Sequence, residues 1–252
     1  MEYIEKEGYT LCYEAYGKGS PIVFIHPPGM GRKTFIKQLS LQLNMKVVLL
    51  DLRGHGDSTI SSSAMLDDFV EDIETVRNHL GVEKIFLFGY SAGGMIAQEY
   101  TFRFPRSVKG VILSGAYPII QNKILEWEHR IGIFMAKSTP KILARILAVS
   151  HFSNDEEQQL IYNQIVKSNQ NVWSQYYEMA LNYSCIHKLN DWNIPLCLLY
   201  GKRADYINGH VKWYYTIPNV QIEWINKANH QLPTRHYRRI NPIIEAFVNK
   251  HE

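Results

Sequence analysis

The sequence contains one strong candidate for a catalytic nucleophile, a serine in a short glycine-rich motif. Residues 89–94 (GYSAGG) follow an apolar run that ends at Phe88, and a helical pattern begins at Ala92. A serine at such a strand-to-helix corner adopts strained backbone angles that lift its hydroxyl above the sheet, and small neighbours let strand and helix pass closely. Free N–H groups at the start of the helix suit a developing negative charge. The motif therefore predicts that Ser91 is a nucleophile.

A serine hydroxyl needs a base, and the base needs an orienting group. His230 lies beyond an apolar run that ends near Ile225, and Asp205 lies beyond a run that ends at Tyr200. Ser91, Asp205 and His230 thus each follow a predicted parallel strand, and ligands bind at the carboxyl edge of such sheets. We expect these three side chains to form a catalytic triad.

Short apolar runs alternate with helical patterns through residues 1–118 and indicate a mostly parallel sheet. The runs are continuously apolar, as expected for parallel strands that helices cover on both faces. Apolar side chains recur every three or four residues from Leu66 to Leu80, and a second helical stretch runs from Ala92 to Phe104. The predicted strands are 22–25, 47–50, 85–88, 111–113, 196–200 and 220–225.

Residues 119–190 differ from the rest of the chain, because they carry aromatic side chains in helical spacing and no strand pattern. Strand patterns return after residue 190, and a final helix has an apolar face from Ile240 to Val248. The order predicts a doubly wound α/β core formed by residues 1–118 and 191–252, with an inserted helical segment at 119–190.

The composition excludes several other classes of protein. The 252 residues are 46% hydrophobic and 20% charged, which rules out a disordered chain, a collagen-like repeat and a coiled coil. The net charge is only +3 and the densest basic run, residues 235–239, is short, so no nucleic-acid partner is expected. The early glycines do not form G-x-G-x-x-G, and no residues show metal-ligand spacing. We therefore expect neither a dinucleotide cofactor nor a metal.

Cysteine usage and hydropathy predict a cytoplasmic protein. Cys12, Cys185 and Cys197 are far apart and odd in number, so we expect buried free thiols in a reducing compartment. The first residues lack the basic start and apolar stretch of a signal peptide. No run approaches the roughly 18 apolar residues of a membrane span.

Four sequence blocks, in order, resemble the α/β-hydrolase fold family over nearly the whole chain. The serine motif is accompanied by residues 25–31 (IHPPGMG), 51–58 (DLRGHGDS) and 228–233 (ANHQLP). The order serine, acid, histidine is also the one associated with this fold. The resemblance implies an α/β-hydrolase core in which residues 119–190 form a helical cap that covers the active site.

The resemblance also implies an oxyanion hole of backbone N–H groups, and here the sequence departs from its relatives. Ala92, next to the nucleophile, is expected to supply one donor. Relatives often use the third residue of a His-Gly-x loop as the second donor, but the equivalent Pro28 has no N–H. We expect Gly29 or Met30 to replace it; otherwise the hole relies on Ala92 alone.

Two further departures concern the acid and the base. Relatives commonly carry the acid at the position of Ala204, one residue before Asp205, so the loop must adjust for Asp205 to reach His230. Asn229 stands where a glycine usually precedes the histidine, which is a mild change because asparagine tolerates positive φ.

The nucleophile and the insertion together predict the reaction. Relatives that resemble dehalogenases or epoxide hydrolases carry aspartate in place of Ser91, so the serine implies hydrolysis of an ester, thioester or lactone through an acyl-enzyme. Apolar side chains of the insertion, such as Trp127, Ile131, Trp173 and Tyr176, either form a pocket for a small to medium hydrophobic substrate or pack the insertion onto the core. Two alternatives stay open. One is a slow-turnover ligand receptor or signalling partner, and the other is another triad-based reaction such as carbon–carbon bond hydrolysis.

Overall fold

A computed structural model describes residues 1–252 and has one nine-stranded sheet at its centre. The strands are β1 (Glu2–Lys6), β2 (Tyr9–Tyr16), β3 (Pro21–Ile25), β4 (Lys46–Asp51), β5 (Thr59–Ile60), β6 (Ile85–Tyr90), β7 (Val108–Ser114), β8 (Leu196–Gly201) and β9 (Gln221–Ile225). Their spatial order is β1-β2-β4-β3-β6-β7-β8-β9, and β5 pairs with β2. Strands β3, β4 and β6 to β9 are parallel, whereas β1, β2 and β5 form an antiparallel edge. The predicted mostly parallel sheet is confirmed.

Both faces of the sheet are buried, as the continuously apolar runs predict. Alternate residues of β3 enter different buried clusters, with Val23 and Ile25 in one and Ile22 and Phe24 in the other. This alternation follows from the period of two in a β-strand. Strand β1 of the antiparallel edge was not predicted, because it buries a single side chain, Ile4, and so has no apolar run.

Some helices pack on the two faces of this sheet, and others belong to the stretch of chain that connects β7 to β8. None of them has both the length and the apolar character that crossing a bilayer requires. The α-helices are α1 (Leu66–His79), α2 (Gly93–Arg103), α3 (Lys123–Ser138), α4 (Pro140–His151), α5 (Asp155–Ile165), α6 (Gln170–Asn182), α7 (Asp205–Asn208), α8 (Leu232–Arg235) and α9 (Tyr237–His251). Shorter 3-10 segments cover Arg32–Leu43, Pro105–Ser107, Ile186–Asp191 and Gly209–Thr216.

Helices α3 to α6 form the inserted segment between β7 and β8. Asparagine side chains cap the N-termini of three of these four helices. Those of Asn122, Asn154 and Asn169 accept hydrogen bonds from the first backbone N–H groups of α3, α5 and α6. An antiparallel bridge between Ile119 and Ser184 closes the base of the insertion. Its ends therefore lie side by side, so the sheet continues from β7 to β8 without interruption.

The three cysteines are buried and form no disulfide. Burial raises the pKa of Cys12 to about 11 and those of Cys185 and Cys197 to about 12. The thiols therefore stay protonated at neutral pH and contribute to the structure as small apolar side chains.

A buried carboxylate, Asp51 at the end of β4, joins the core to the insertion. It pairs with the guanidinium of Arg32 and accepts a hydrogen bond from the Arg32 backbone N–H at 2.6 Å. The Asp57 backbone N–H donates to it at 2.9 Å, and the Gln164 amide of α5 donates at 2.9 and 3.0 Å. The Asp51 side chain is 0% exposed, so it depends on these donors for its stability as an anion.

Removal of this carboxylate should destabilise the fold strongly. Asp51→Ala leaves the buried Arg32 without its main partner and is expected to lower the free energy of unfolding by about 3–5 kcal/mol. Urea denaturation followed by circular dichroism measures the change. Asp191→Ala, which removes an exposed carboxylate without an ion pair, is the matched control and should change stability by less than about 0.5 kcal/mol. A loss below about 1 kcal/mol in Asp51→Ala would contradict this role.

Candidate active site

Ser91 occupies the sharp turn between β6 and α2 with a left-handed backbone, φ 53°. Its N–H donates to the Ser114 carbonyl and its own carbonyl accepts from the Gly94 N–H, both at 2.9 Å. Positive φ is uncommon for a residue with a side chain and persists only where the surroundings enforce it. The strained corner that the motif predicts is therefore present.

The small residues after Ser91 allow the turn to pack closely. A Cβ atom at Gly93 would lie 2.3 Å from the Ile25 carbonyl oxygen, and one at Gly94 would lie 2.3 Å from the Cβ of Ala116. Any side chain at these positions would push α2 away from β3 and from the loop after β7.

His230 lies between β9 and α8 and lines the same cavity as Ser91. Its buried ring packs against that of Tyr90, with centroids 5.2 Å apart. The Nδ1 atom has no hydrogen-bond partner. Gly115 lies against it, because a Cβ atom at Gly115 would be 2.5 Å from Nδ1. The structure thus brings the candidate nucleophile Ser91 and the candidate base His230 to one cavity but forms no hydrogen bond between them.

Asp205, the predicted acid, does not reach His230. It begins α7, is exposed and forms no hydrogen bond or ion pair with any side chain. The residue that faces inward at this turn is Ala204, 2% exposed, whose N–H donates to the Gly201 carbonyl at 3.0 Å. Successive residues of a tight turn point in different directions, so the one-residue offset leaves Asp205 in solvent. In this structure the expected triad is reduced to Ser91 and His230.

Burial keeps the His230 imidazole neutral. Loss of solvent lowers its pKa to about 3, and the neighbouring His151 and His129 contribute in the same direction. No carboxylate opposes this shift. A neutral imidazole can accept a proton, which is the first requirement of a general base.

Residues 26–30 form a rigid turn beside Ser91. The Met30 N–H donates to the Pro27 carbonyl at 3.2 Å, and Gly29 has φ 78° directly after Pro28, which is typical of a type II turn. Met30 therefore has no free N–H to offer an oxyanion, contrary to that part of the prediction. The N–H groups of Ala92 and Gly29 donate no hydrogen bond within the chain.

His26 supports this turn from the core side. Its Nε2 atom accepts a hydrogen bond from the Leu52 N–H at 3.1 Å, so its Nδ1–H donates to the Pro27 carbonyl at 2.9 Å. Both ring nitrogens of this histidine are therefore occupied by hydrogen bonds to nearby backbone.

The insertion supports the same turn from the other side. Tyr176 of α6 donates its hydroxyl hydrogen to the His26 carbonyl at 2.9 Å, and the Ser168 hydroxyl donates to the Gly29 carbonyl at 3.0 Å. The Trp173 ring fills the space where a Cβ atom of Gly29 would lie. The sequence left open whether the aromatic residues of the insertion line a pocket or pack onto the core. Trp173 and Tyr176 pack onto the core, because neither lines the cavity.

The cavity has a volume of about 750 Å³ and lies between Ser91, His230 and helices α3 and α4. Its lining is largely apolar. The main apolar side chains are Met30, Ile124, Trp127, Ile131, Met135, Leu143, Ile146 and Leu147. The predicted contribution of Trp127 and Ile131 to an apolar pocket therefore matches their positions.

Two tyrosine–histidine pairs join the core to the insertion at the cavity wall. Tyr90 contacts Nε2 of His151 at 3.1 Å, and Tyr117 contacts Nε2 of His129 at 2.7 Å. Burial lowers the pKa of both histidines to about 4. Each Nδ1 faces a carbonyl one helical turn earlier, so each neutral Nε2 accepts the tyrosine hydroxyl hydrogen. Sequence reasoning missed these pairs, because no local pattern marks them.

Glu128 of α3 is the single carboxylate among the residues that line the cavity. No cation pairs with it, since the nearby Arg130 pairs with Glu126 instead. Desolvation by the surrounding protein raises its pKa, although the residue is exposed to solvent. A cationic group of a ligand would find its only opposite charge here.

A second cluster of polar side chains could in principle hold a metal. Cys12, Asp51 and Asp57 offer ligand atoms that lie within 4.8 Å of one another. However, the Arg32 guanidinium already pairs with both carboxylates, and the Cys12 thiol is protonated. The cluster therefore serves the ion pair, and we assign no metal to it.

The sequence is similar to a family of serine hydrolases and to curated proteins of known name. The family model described as serine aminopeptidase S33 matches residues 33–234. A protein named probable proline iminopeptidase from Leptolyngbya boryana is 33% identical over 130 residues, which are 49% of this chain and 40% of the relative. The chain thus spans about two fifths of the length of that curated relative.

Solved structures resemble the whole chain in fold. An esterase from Thermogutta terrifontis has a TM-score of 0.84 at 20% identity and covers 100% of both chains. A bromoperoxidase from Bacillus anthracis has a TM-score of 0.85 at 17% identity and covers 96% of both chains. At these identities the likeness establishes the α/β-hydrolase fold and no particular reaction.

The buried state of His230 predicts an unusual pH profile. Because its pKa is lowered to about 3, the imidazole stays neutral, and active as a base, well below the ordinary histidine value of about 6.5. We expect kcat/KM to stay flat from about pH 8 to about pH 5 and to fall only at lower pH. Initial rates on a soluble ester measure this, with circular dichroism to check that the protein stays folded. An acid limb near pH 6.5 would show instead that His230 is solvated or paired with a carboxylate.

Proposed function

The chain belongs to the serine aminopeptidase S33 family, and from this premise we propose that it hydrolyses ester-type bonds of small to medium hydrophobic substrates. The α/β-hydrolase fold and the serine hydrolase class are established by the family match. The observation that carries the ester proposal is the cavity itself. Ser91, at a strained turn, shares about 750 Å³ of mainly apolar space with a neutral histidine, and this space suits an acyl chain.

The proposed mechanism uses two side chains and two backbone donors. Nε2 of His230 takes the proton from Ser91, whose oxygen attacks the acyl carbon, and the N–H groups of Ala92 and Gly29 hold the oxyanion. His230 then protonates the leaving alcohol, and it activates water to release the acid.

The missing carboxylate limits the proposed rate. With Nδ1 of His230 unpartnered, nothing stabilises the imidazolium that forms during each proton transfer. We therefore expect turnover slower than that of a complete triad, and a slow-turnover receptor of the same fold remains the alternative. Turnover with soluble esters separates the two.

A second candidate is hydrolysis of a peptide bond next to a free amino terminus. Glu128 favours it, because an unpaired carboxylate in the cavity could bind the ammonium of such a substrate. Relatives named proline iminopeptidase point the same way. The chain matches only 40% and 34% of their lengths, so the activity of those whole proteins is not carried over.

Substitutions at Ser91 and Asp205 test the proposed mechanism. Ser91→Ala should abolish ester hydrolysis with little change in melting temperature. Asp205→Asn should lower kcat less than about tenfold, because the exposed carboxylate makes no hydrogen bond to His230. A loss of about a hundredfold or more would mean that the α7 loop moves to complete a triad on substrate binding. Initial rates with p-nitrophenyl butyrate measure both variants.

Substrate choice separates the two candidate functions. We expect Ser91-dependent hydrolysis of p-nitrophenyl esters, with an optimum at an intermediate acyl length between acetate and decanoate that the cavity can hold. Proline p-nitroanilide should turn over much more slowly. The reverse preference would establish the aminopeptidase.

Glu128→Gln is the matched variant for this comparison. It removes the charge from the cavity and keeps the shape of the side chain. An ester hydrolase should tolerate it or improve, since the apolar cavity then binds acyl chains without a neighbouring charge. An aminopeptidase should lose about tenfold to a hundredfold in kcat/KM.

A further inference from the structure

Exposed apolar side chains are concentrated on helices α3 and α4. Six of the ten large apolar side chains that are at least half exposed lie on these two helices, which comprise 16 and 12 of the 252 residues. Single exposed apolar residues are normal, whereas a contiguous group of this kind marks an interaction surface. We call this group the apolar face. It consists of Ile124, Trp127, Ile131, Phe134, Ile142 and Ile146.

The apolar face is continuous along each helix and includes part of the cavity lining. The four α3 members are spaced three or four residues apart, and the two α4 members four apart, so each set lies on one side of its helix. Four members are exposed and also line the cavity: Ile124, Trp127, Ile131 and Ile146. Phe134 and Ile142 extend the face beyond the lining.

Basic side chains border the apolar face. Helices α3 and α4 carry five cations and two carboxylates, a formal charge of +3 on the two helices. Lys123, Lys141 and Arg145 are exposed and have no carboxylate within ion-pair distance. Lys123 lies four residues before Trp127, and Arg145 lies three residues after Ile142, so these charges stand beside the face.

We propose that the apolar face docks on an anionic lipid surface and that the cavity takes a hydrophobic acyl ester from that surface. An amphipathic helix with an exposed tryptophan, isoleucines and bordering lysines or arginines binds such surfaces in this way. A second copy of the chain would place two basic borders against each other, so the charge favours the lipid surface. The docking stands on the face alone, while the identity of the substrate rests on the proposed ester hydrolysis.

Vesicle binding tests the docking independently of catalysis. The Ser91→Ala protein, inactive by design, is sedimented with vesicles of phosphatidylcholine that contain about one third phosphatidylglycerol, and with phosphatidylcholine alone. We expect the protein to bind the anionic vesicles at least about tenfold more strongly than vesicles of pure phosphatidylcholine. We also expect salt to weaken binding to the anionic vesicles.

Two substitutions outside the cavity lining remove part of the apolar face. Phe134→Ser with Ile142→Ser should lower vesicle binding at least about tenfold and leave hydrolysis of soluble p-nitrophenyl butyrate unchanged. Leu43→Ser is the matched control, because Leu43 is 85% exposed and lies outside the insertion; it should bind as before. When the native Ser91 is kept, the same double variant should lose turnover of a long-chain ester embedded in the vesicles.

The remaining outcomes are decisive for one proposal at a time. Absence of vesicle binding, or equal binding of the double variant, overturns the docking even if soluble esters are hydrolysed. Sedimentation equilibrium that shows a dimer broken by the double variant, without vesicle binding, makes the face an interface between copies. If the protein with its native Ser91 binds vesicles but turns over no ester, the docking proposal stands and the proposal of ester hydrolysis is overturned.

Discussion

The geometry of the site depends on one buried ion pair, Asp51 with Arg32. Arg32 lies two residues after the turn at residues 26–30, and Asp51 also accepts hydrogen bonds from Gln164 of the insertion. This carboxylate therefore fixes the end of β4, the start of the segment after the turn and helix α5 relative to one another. Buried ion pairs contribute less to stability than their contacts suggest, because desolvation is costly. Their directional hydrogen bonds nevertheless hold the three segments in the observed arrangement.

Burial has opposite consequences for the parts of the active site. It keeps His230 neutral without a partner, so in the proposed mechanism the imidazole can accept a proton over a wide pH range. It also leaves Nδ1 unpartnered, so the charged intermediate lacks support. A base that is neutral over a wide pH range but weakly stabilised after proton uptake is consistent with the slow ester hydrolysis that we propose.

The insertion has two parts with different roles. Residues of α6 and the segment before it bond to the turn at residues 26–30, through Tyr176 and Ser168, and so belong to the rigid site. Helices α3 and α4 contact the core through the pairs Tyr90–His151 and Tyr117–His129, and they turn apolar side chains both inward and outward. The same two helices thus line the cavity and form its apolar exterior.

The sequence by itself predicted the parallel part of the sheet, the helical insertion, and the candidate nucleophile and base, Ser91 and His230. Apolar runs and helical periodicity are local properties, and the strained corner at Ser91 needs only the glycine spacing around it. Tertiary structure decided the rest. Whether Asp205 or Ala204 points into the protein depends on the rotation of one tight turn. Whether the Met30 N–H is free depends on a hydrogen bond that closes another turn. Residue types alone predict neither of these two features, because both depend on backbone angles that distant contacts impose on the chain.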